Sequence, residues 1–556
     1  MTGHRQRSNE VRNSMDRDDL ERGRHYYHER LWADAYNAFA CADEVTPLEA
    51  DDLESFAMSA YLIGSEDTYL SALERAHVAL IEAGQSRRAA SSAFWIGLCL
   101  LFQGKTGPAT GWFGRAQRLL DRDGQACVEQ GYLLLPRAER ELASLDAKAA
   151  HMIAAEAVTI GERFADPDLI ACARHIQGRA LLQQGRVDQG LALLDEAMVS
   201  VAAGELSPLM TGLIYCSVID SCMQVYAFAR AREWTYALSS WCDGQPQLVA
   251  FTGTCLVHRA EIMELQGAWP DAIQEAQRAC SGFARHAEQQ PPAAAFYRRG
   301  ELCRLRGEFA TAEEAYREAS RRGFDPQPGL ALLRMAQGQT DAAAVAIRRA
   351  VNATADRLAR TKLLPACVEI MLEAGDIEEA RSSCQQLEET AATFDAGAVV
   401  AMAAHARGAV LLAKGEPAAA LLSLRQAYEF WRNGEAPYLT ARTRELLGIA
   451  CRALGDEEGA ELELEAAKAA FHELGAAPDV ARLASHGKDS TRSHGLTKRE
   501  LQVLRLVAAG KTNGTIAVEL FVSRRTIDRH VSNLLGKLEV SSRAAATSYA
   551  HTHKLV

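Results

Sequence analysis

Long apolar runs, aromatic residues and paired cysteines are all scarce in this sequence. No apolar run reaches the roughly 18–20 residues that a membrane-spanning helix needs, and the N-terminal stretch lacks the apolar core of a secretory signal. Aromatic residues make up only 7% of the chain, while alanine dominates many stretches. Because alanine is the best helix former, this composition favours closely packed helices over sheets. The sequence therefore predicts an all-α protein that does not cross a membrane.

Cysteine is present, but not in patterns that bind metals. The thirteen cysteines are spaced singly from Cys41 to Cys451, and no CxxC pair occurs. We expect reduced thiols that serve as small buried hydrophobic residues in a cytoplasmic protein. The HYYH stretch with His25 and His28 is a weak metal signal that we interpret as helix surface, so no metal site is expected.

Charge is distributed unevenly along the 556 residues. Residues 496–556 contain ten Lys and Arg against four Asp and Glu, whereas the first 495 contain 51 basic and 68 acidic residues, a net charge of −17. A chain of this length is too long for one hydrophobic core. A small basic domain on a large acidic body indicates one polyanion-binding module attached to a domain that avoids polyanions.

One pattern of small and large residues recurs through the acidic part. In the segment 295–319, Gly307 is preceded by Gly300 at seven positions and followed by Ala312, Tyr316 and Ala319 at five, nine and twelve. The same offsets recur around Gly104, Gly185, Gly415 and Gly455, with looser copies around Gly64, Gly267, Gly338 and Gly375. Neighbouring members of this series are commonly forty residues apart, which indicates a repeat architecture.

The offsets are typical of two antiparallel helices joined by a tight turn. The central glycine ends the first helix in a left-handed conformation, and the small residues allow close approach of the helices. The pattern resembles the tetratricopeptide repeat, although forty residues exceed its usual ~34. We predict eleven or twelve hairpins over residues 20–484 in a right-handed solenoid, including degenerate hairpins between Gly104 and Gly185 and between Gly185 and Gly267.

A solenoid of this kind presents a long surface for binding. Each hairpin is expected to bury its apolar face only against its neighbours, so that the inner helices line a concave groove. Some aromatic residues either line this groove or fill the core between hairpins, and the sequence leaves both possibilities open. They are Trp95, Tyr215, Tyr226, Tyr297 and Trp431.

The last sixty residues contain a second pattern. Thr497 to Glu500 read as a capping box before an amphipathic helix that Gly510 closes. A short helix opens at Thr512 or Asn513, Ser523 caps a third helix that ends near Leu538, and a fourth begins near Ser541. Apolar positions of the third helix are Ile527, Val531, Leu534, Leu535 and Leu538, and its polar face is Arg524, Arg525, Asp528, Arg529, Ser532 and Asn533. Two short helices in a tight turn predict a helix-turn-helix.

The string LTxRExxVLxLVAxGxTNxxIAxxLxxSxxTIxxHVxNLxxKLxVxxR resembles the LuxR/FixJ-type DNA-binding domain over nearly its whole length. The resemblance implies that the third helix enters the major groove of double-stranded DNA. It implies base contacts by Asp528, Arg529, Ser532 and Asn533. It implies phosphate contacts by Lys511, Thr512, Asn513, Arg525, Thr526, Lys537 and Arg543. Arg529 could fork onto guanine, whereas Asp528, where many members have lysine, either selects a base or orients Arg529. Thr515 replaces a common glutamate in the second helix.

Related domains dimerise through the fourth helix, here about Ser542–Ala550. Its small, alanine-rich face would permit close approach of two copies, so a homodimer on a twofold-related DNA site is expected.

Two GKT triplets suggest a nucleotide site, and both are better explained otherwise. A phosphate-binding loop requires GxxxxGK[ST] between a strand and a helix, but the first glycine position holds Cys99 before Lys105 and Arg505 before Lys511. Large LuxR-type regulators with helical repeats, such as the maltose-regulon activator, usually carry a nucleotide-hydrolysing module. The sequence predicts that this chain lacks one, has no catalytic residues or cofactor, and is not an enzyme.

The resulting scheme has four segments. Residues 1–19 are predicted to be disordered, 20–484 form the repeat domain, 485–495 are a flexible linker within the polar stretch Ala476–Gly495, and 496–556 are the DNA-binding domain. We hypothesise a transcription regulator whose solenoid senses a small molecule or protein partner. The alternative is a scaffold protein whose C-terminal domain only tethers it to DNA.

Overall fold

The computed structural model describes residues 18–245, 247–281, 292–394, 396–491, 496, 498–520, 522–553 and 555. These residues form helices, turns and loops, and none of them lies in a strand. The all-α prediction is thereby confirmed for this part of the chain. None of its helices is long and apolar enough to cross a membrane. The predicted disorder of residues 1–19 falls mostly outside the described residues, and residues 18–28 are helical.

The described residues between 18 and Leu474 form twelve successive helical hairpins, in agreement with the predicted number. The first pairs the helical residues 18–28 with Trp32–Val45. The next five are Ala50–Leu62 with Glu66–Glu82, Ser86–Phe102 with Thr106–Asp123, Leu135–Ala143 with Ala147–Phe164, Pro167–Gln183 with Val187–Ala202, and Pro208–Gln224 with Phe228–Asp243. The last six are Thr252–Leu265 with Trp269–Ser281, Ala293–Arg306 with Phe309–Arg321, Gly329–Ala336 with Thr340–Ala353, Leu364–Glu373 with Ile377–Phe394, Gly397–Ala413 with Pro417–Asn433, and Pro437–Ala453 with Glu457–Leu474. Short helices Glu129–Tyr132 and Arg357–Arg360 precede the fourth and tenth hairpins.

The turns of these hairpins lie where the sequence places them. All nine predicted turn glycines have φ between 74° and 85°, in the left-handed region. The degenerate hairpins turn at Leu145 (φ 64°) and Tyr226 (φ 59°), which occupy the glycine position about forty residues from its neighbours. Gly104 is one of the nine, so the first GKT triplet is a helix-to-helix turn.

The predicted pairing of small with large residues is also present. A Cβ added to Gly300 would lie 2.6 Å from a ring carbon of Tyr316, and one added to Gly408 would lie 2.5 Å from Leu424. Each pair joins the glycine seven positions before a turn to the large residue nine positions after it. The two helices of these hairpins therefore approach too closely for any side chain larger than hydrogen.

The chain divides into two compact units: Met1–Arg304 with Phe309–Ala374 and Ser382–Ala403, and Leu305–Glu308 with Gly375–Arg381 and Ala404–Val556. Within the first unit, the expectation that hairpins contact only their neighbours is wrong. The backbone N–H groups of Val249 and Ala250 donate to the carbonyl of Leu62, at 2.9 and 3.1 Å. Trp32 Nε1 donates to Gln245 Oε1 at 3.3 Å. The loop before the seventh hairpin thus packs against the first two hairpins.

The five aromatic residues left open by the sequence all contact other side chains of the chain. Tyr215 and Trp431 are buried. Trp95 packs edge-on against Phe94, Tyr297 lies beside Tyr316 and Phe324, and the Tyr226 hydroxyl hydrogen-bonds Thr361 at 2.8 Å. All thirteen cysteines are free thiols, and most are buried, although Cys41 is exposed.

A final helix, Ala477–Thr491, follows the twelfth hairpin. It occupies most of the stretch Ala476–Gly495 that the composition predicted to be flexible. Arg482 explains part of this difference, because its guanidinium pairs with Glu445 and with Asp479 at 2.6 Å each and fixes the helix to the preceding hairpin. The domain boundary at 484 stays a prediction.

Candidate nucleic-acid interface

Four helices form the C-terminal domain: Lys498–Ala508, Asn513–Glu519, Arg524–Lys537 and Arg543–Thr552. Side-chain caps open the last three. Thr512 Oγ1 accepts from the N–H of Thr515 at 3.3 Å, Ser523 Oγ accepts from Thr526 at 3.1 Å, and Ser542 Oγ accepts from Ala545 at 3.1 Å. These bonds satisfy N–H groups that have no partner inside the helix. The predicted starts of the second and third helices are confirmed, whereas Thr497 lies outside the described residues.

The third helix divides into a buried and an exposed face. Ile527, Val531, Leu534 and Leu538 are buried with apolar residues of the other three helices, and Leu535 is partly buried against them. All six residues of the predicted polar face are exposed. The helical period therefore assigns the two faces correctly, and it leaves a polar helix surface available to a ligand.

Asp528 lies at the end of a chain of hydrogen bonds. Arg543 Nη1 donates to Asn513 Oδ1, and Asn513 Nδ2 donates to Asp528 Oδ1 at 2.7 Å. Arg543 Nη2 also donates to the carbonyl of Lys511 at 2.6 Å. The arrangement joins the fourth, second and third helices through one amide. Asp528 accepts this hydrogen bond from Asn513. Among the described residues no hydrogen bond or ion pair joins Asp528 to Arg529, so an orienting role of Asp528 stays a prediction.

Two lysines predicted to contact phosphate are paired within the domain. Lys537 Nζ lies 2.8 Å from Glu500 Oε2, whose side chain is only 4% exposed. Lys511 Nζ lies 2.5 Å from Glu519 Oε2. The Lys537 pair fixes the third helix to the first. Sequence reasoning missed both pairings. The Lys537–Glu500 pair joins two separate helices and leaves no local signal, and Glu519 lies eight positions from Lys511, at the other end of the second helix.

Three arginines of the third helix differ from these lysines. Arg524, Arg525 and Arg529 are exposed. Among the described residues, no hydrogen bond or ion pair involves their guanidinium groups. Ser532 and Asn533 lie on the same exposed face. Thr526, by contrast, is engaged with its neighbour, because its hydroxyl lies 2.7 Å from Ser523 Oγ.

Comparison with known proteins identifies this domain. Residues 494–550 match the family described as "Bacterial regulatory proteins, luxR family". They form a LuxR-type helix-turn-helix domain. The chain is 46% identical over 77 residues to the transcriptional regulatory protein LiaR of Bacillus subtilis, which covers 14% of this chain and 36% of LiaR. It is 44% identical over 61 residues to the response regulator protein VraR of Staphylococcus aureus, which covers 11% of this chain and 29% of VraR. The chain thus spans about a third of the length of these relatives.

A solved structure described as "Crystal structure of APC/C hetero-tetramer Cut9-Hcn1" aligns with most of the chain. The TM-score is 0.43 at 14% identity, with 84% of this chain and 89% of that chain covered.

Part of the alanine-rich face of the fourth helix is buried inside the LuxR-type domain. Ala546 and Ala550 are buried in the domain core. Ala544, Ser548 and His551 are exposed on the other side. The surface available to a second copy is therefore narrower than the run of alanines suggests.

In the part of the chain that the structure describes, no three His, Cys, Asp or Glu side chains are grouped closely enough to hold a metal ion. The second GKT triplet lies at the junction of two helices, where Gly510 has φ 78° and Thr512 caps the second helix.

Proposed function

We propose that this protein is a sequence-specific DNA-binding transcription regulator, with the helix Arg524–Lys537 placed in the major groove. The observation that carries the proposal is the set of three exposed arginines on that helix that have no partner among the described residues. Groups that are already neutralised within the protein gain little from a phosphate or a base, whereas unpaired guanidinium groups can release counterions and donate to guanine. The match to the LuxR family supports the same reading.

The proposed base contacts are made by Asp528, Arg529, Ser532 and Asn533. Arg529 would donate to guanine N7 and O6, and the second oxygen of Asp528 would accept from cytosine N4. Arg525, Thr512, Asn513 and Thr526 remain proposed phosphate contacts. The last three also make hydrogen bonds within the domain. Lys511, Lys537 and Arg543 would contact phosphate only while also holding the domain together. Dimerisation through the fourth helix and sensing by the hairpin array belong to the same proposal.

Selection of the full-length protein on random-sequence DNA tests the proposal. An enriched inverted repeat is the expected result, because a symmetric dimer presents two identical third helices. Binding without sequence preference would instead favour the DNA-tethered scaffold.

Replacement of Arg529 by alanine distinguishes a contact to a DNA base from a contact to a phosphate. Arg529→Ala should weaken binding to the selected site by roughly 1–3 kcal/mol and leave scrambled DNA little affected, because the lost contact is to a base. The matched variant Arg525→Ala should weaken both DNAs alike and flatten the salt dependence by about one unit of slope. Titrations at several salt concentrations measure both effects. Equal losses on specific and scrambled DNA for Arg529→Ala would overturn the base-reading assignment.

A further inference from the structure

A row of polar side chains crosses the first helices of four consecutive hairpins in the first unit. His175 Nε2 lies 2.7 Å from Ser217 Oγ, which connects the fifth hairpin to the sixth. His258 Nδ1 lies 3.8 Å from Asp220 Oδ1, which connects the sixth to the seventh. These polar contacts run between helices that otherwise pack through apolar residues.

Arg298 continues the row into the eighth hairpin. Its guanidinium pairs with Glu261 at 2.6 Å and with Glu264 at 2.9 Å. One cation is thus shared by two carboxylates. Asp220, the third carboxylate of the cluster, forms no ion pair with a Lys or Arg among the described residues.

A second part of the chain approaches this cluster. The Tyr226 hydroxyl lies 2.8 Å from Thr361 Oγ1, which places the turn at Thr361 beside the sixth hairpin. The adjacent Lys362 is exposed and contributes to the pKa values of both Asp220 and Glu261, lowering each by its positive charge. Lys362 therefore lies within electrostatic reach of the carboxylates, although it is 142 positions from Asp220.

Asp220 presents its carboxylate to water, although several helices surround it. Its side chain is 69% exposed to water. Even so, removal of bulk solvent by the surrounding helices raises the pKa of its carboxyl, against the attraction of His258, Lys362 and Arg179. A carboxyl can be exposed because water has room beside it and still have a raised pKa, because the raise depends on how much protein surrounds the group.

His258 is the unsatisfied member of the cluster. It is 3% exposed, and neither ring nitrogen makes a hydrogen bond with the described residues. Arg298 Nε is likewise buried without an acceptor. A buried polar atom without a partner is destabilising, so natural proteins rarely keep one without a reason.

We propose that this cluster is a binding site for a small organic molecule that carries an ammonium group. Asp220 accepts hydrogen bonds from the ammonium, and His258 and Lys362 receive a carboxylate or hydroxyl of the same molecule. Among the described residues no group of three ligands suits a metal ion, which favours an organic cation over a metal. The role of the ligand as an effector rests on the proposed regulatory function, but its binding does not.

Thermal unfolding of the full-length protein with defined probes tests the site without DNA. The probes are the common L-amino acids, putrescine and succinate, each added singly in the millimolar range. We expect at least one ammonium-bearing probe to raise the unfolding midpoint by several degrees, since a ligand that binds only the folded state stabilises it. Succinate, which lacks an ammonium group, should have no effect.

Three variants make the assignment specific. Asp220→Asn should abolish the shift, whereas Asp195→Asn, at a surface carboxylate paired with Arg230, should preserve it. Lys362→Ala should abolish the shift for amino acids while retaining any shift for putrescine. The proposal is overturned if no ammonium-bearing probe shifts the midpoint, if succinate does so equally, or if Asp220→Asn keeps the response. A negative result with these probes would not change the outcome of the DNA selection. A negative DNA selection would likewise not change the measured ligand binding.

Discussion

Single residues in the LuxR-type domain have roles that depend on their partners. Lys537 and Arg525 are both basic residues on the third helix, and the sequence assigns both to phosphate. The structure distinguishes them, since Lys537 pairs with buried Glu500 and Arg525 is exposed without a partner among the described residues. A lysine that neutralises a buried carboxylate contributes to folding whether or not DNA is present.

Lys537→Ala should therefore lower the stability of the domain. The substitution removes a cationic partner of a buried carboxylate, and we expect a loss of about 1–3 kcal/mol, moderated because the Lys537 side chain is 41% exposed. Urea unfolding monitored by hydrogen exchange in residues 498–553 measures the change. Arg525→Ala is the control and should leave the unfolding midpoint unchanged. Equal midpoints for the two variants would contradict the structural role of Lys537.

His175 should make the repeat domain sensitive to acid. Burial, helped by the charge of Arg179, lowers the pKa of His175 to about 3. Its folded pKa lies below the unfolded value of about 6.5, so its stabilising contribution is complete above pH 6.5 and is lost as the pH falls from 6.5 towards 3. Each pH unit in this window costs up to about 1.4 kcal/mol.

Unfolding midpoints of the wild type and of His175→Gln between pH 7.5 and 5 provide the measurement. The wild type should lose stability more steeply than the variant as the pH falls. Parallel pH profiles would show that His175 is protonated as easily in the folded protein as in the unfolded chain.

Helical hairpins are the elements of the repeat domain, and glycine controls their packing. Gly300 faces Tyr316 so closely that an added Cβ would lie 2.6 Å from its ring. The Tyr316 hydroxyl is itself hydrogen-bonded to Glu301, which limits how far the ring can move. Gly111 also lies inside a helix, but the space around it is open. Replacement of glycine by alanine should therefore change the stability in opposite directions at these two positions.

Gly300→Ala should destabilise the eighth hairpin by about 1–3 kcal/mol, as expected for a methyl group forced into a packed interface. Gly111→Ala should stabilise its helix by up to about 1 kcal/mol, because alanine is the better helix former and meets no obstacle. Thermal unfolding of both variants is the test. Stabilisation by Gly300→Ala would mean that the helices can separate without loss.

At the scale of the whole molecule, the described part of the first unit departs from a one-dimensional array. In such an array each repeat contacts only its neighbours, and a local change stays local. Here the loop before Thr252 bonds to Leu62 and packs on Trp32. A substitution in the first hairpin should therefore alter the local stability of the chain about two hundred residues further along.

Trp32→Ala tests this coupling. The loss of a buried tryptophan costs about 3–5 kcal/mol, and we expect faster hydrogen exchange at the amides of Val249 and Ala250. Phe39→Ala removes an equally buried ring from the same helix, but Phe39 lies in an apolar cluster that does not include the loop, so the exchange there should rise less. Equal exchange in the two variants would refute the coupling.

The sequence alone determined the features that depend on local pattern. Turn glycines, the register of small and large residues and the two faces of the third helix follow from periods of a few residues, and the LuxR-type domain follows from a dense motif. Tertiary structure decided what depends on distant partners: Lys537 meets Glu500 at a separation of 37 positions, and Ala33 meets Gln247 at 214. The cluster around Asp220 is of the second kind. Its members lie on separate hairpins, and a carboxylate on a helix surface has the same local sequence whether it faces only solvent or a histidine of the next hairpin.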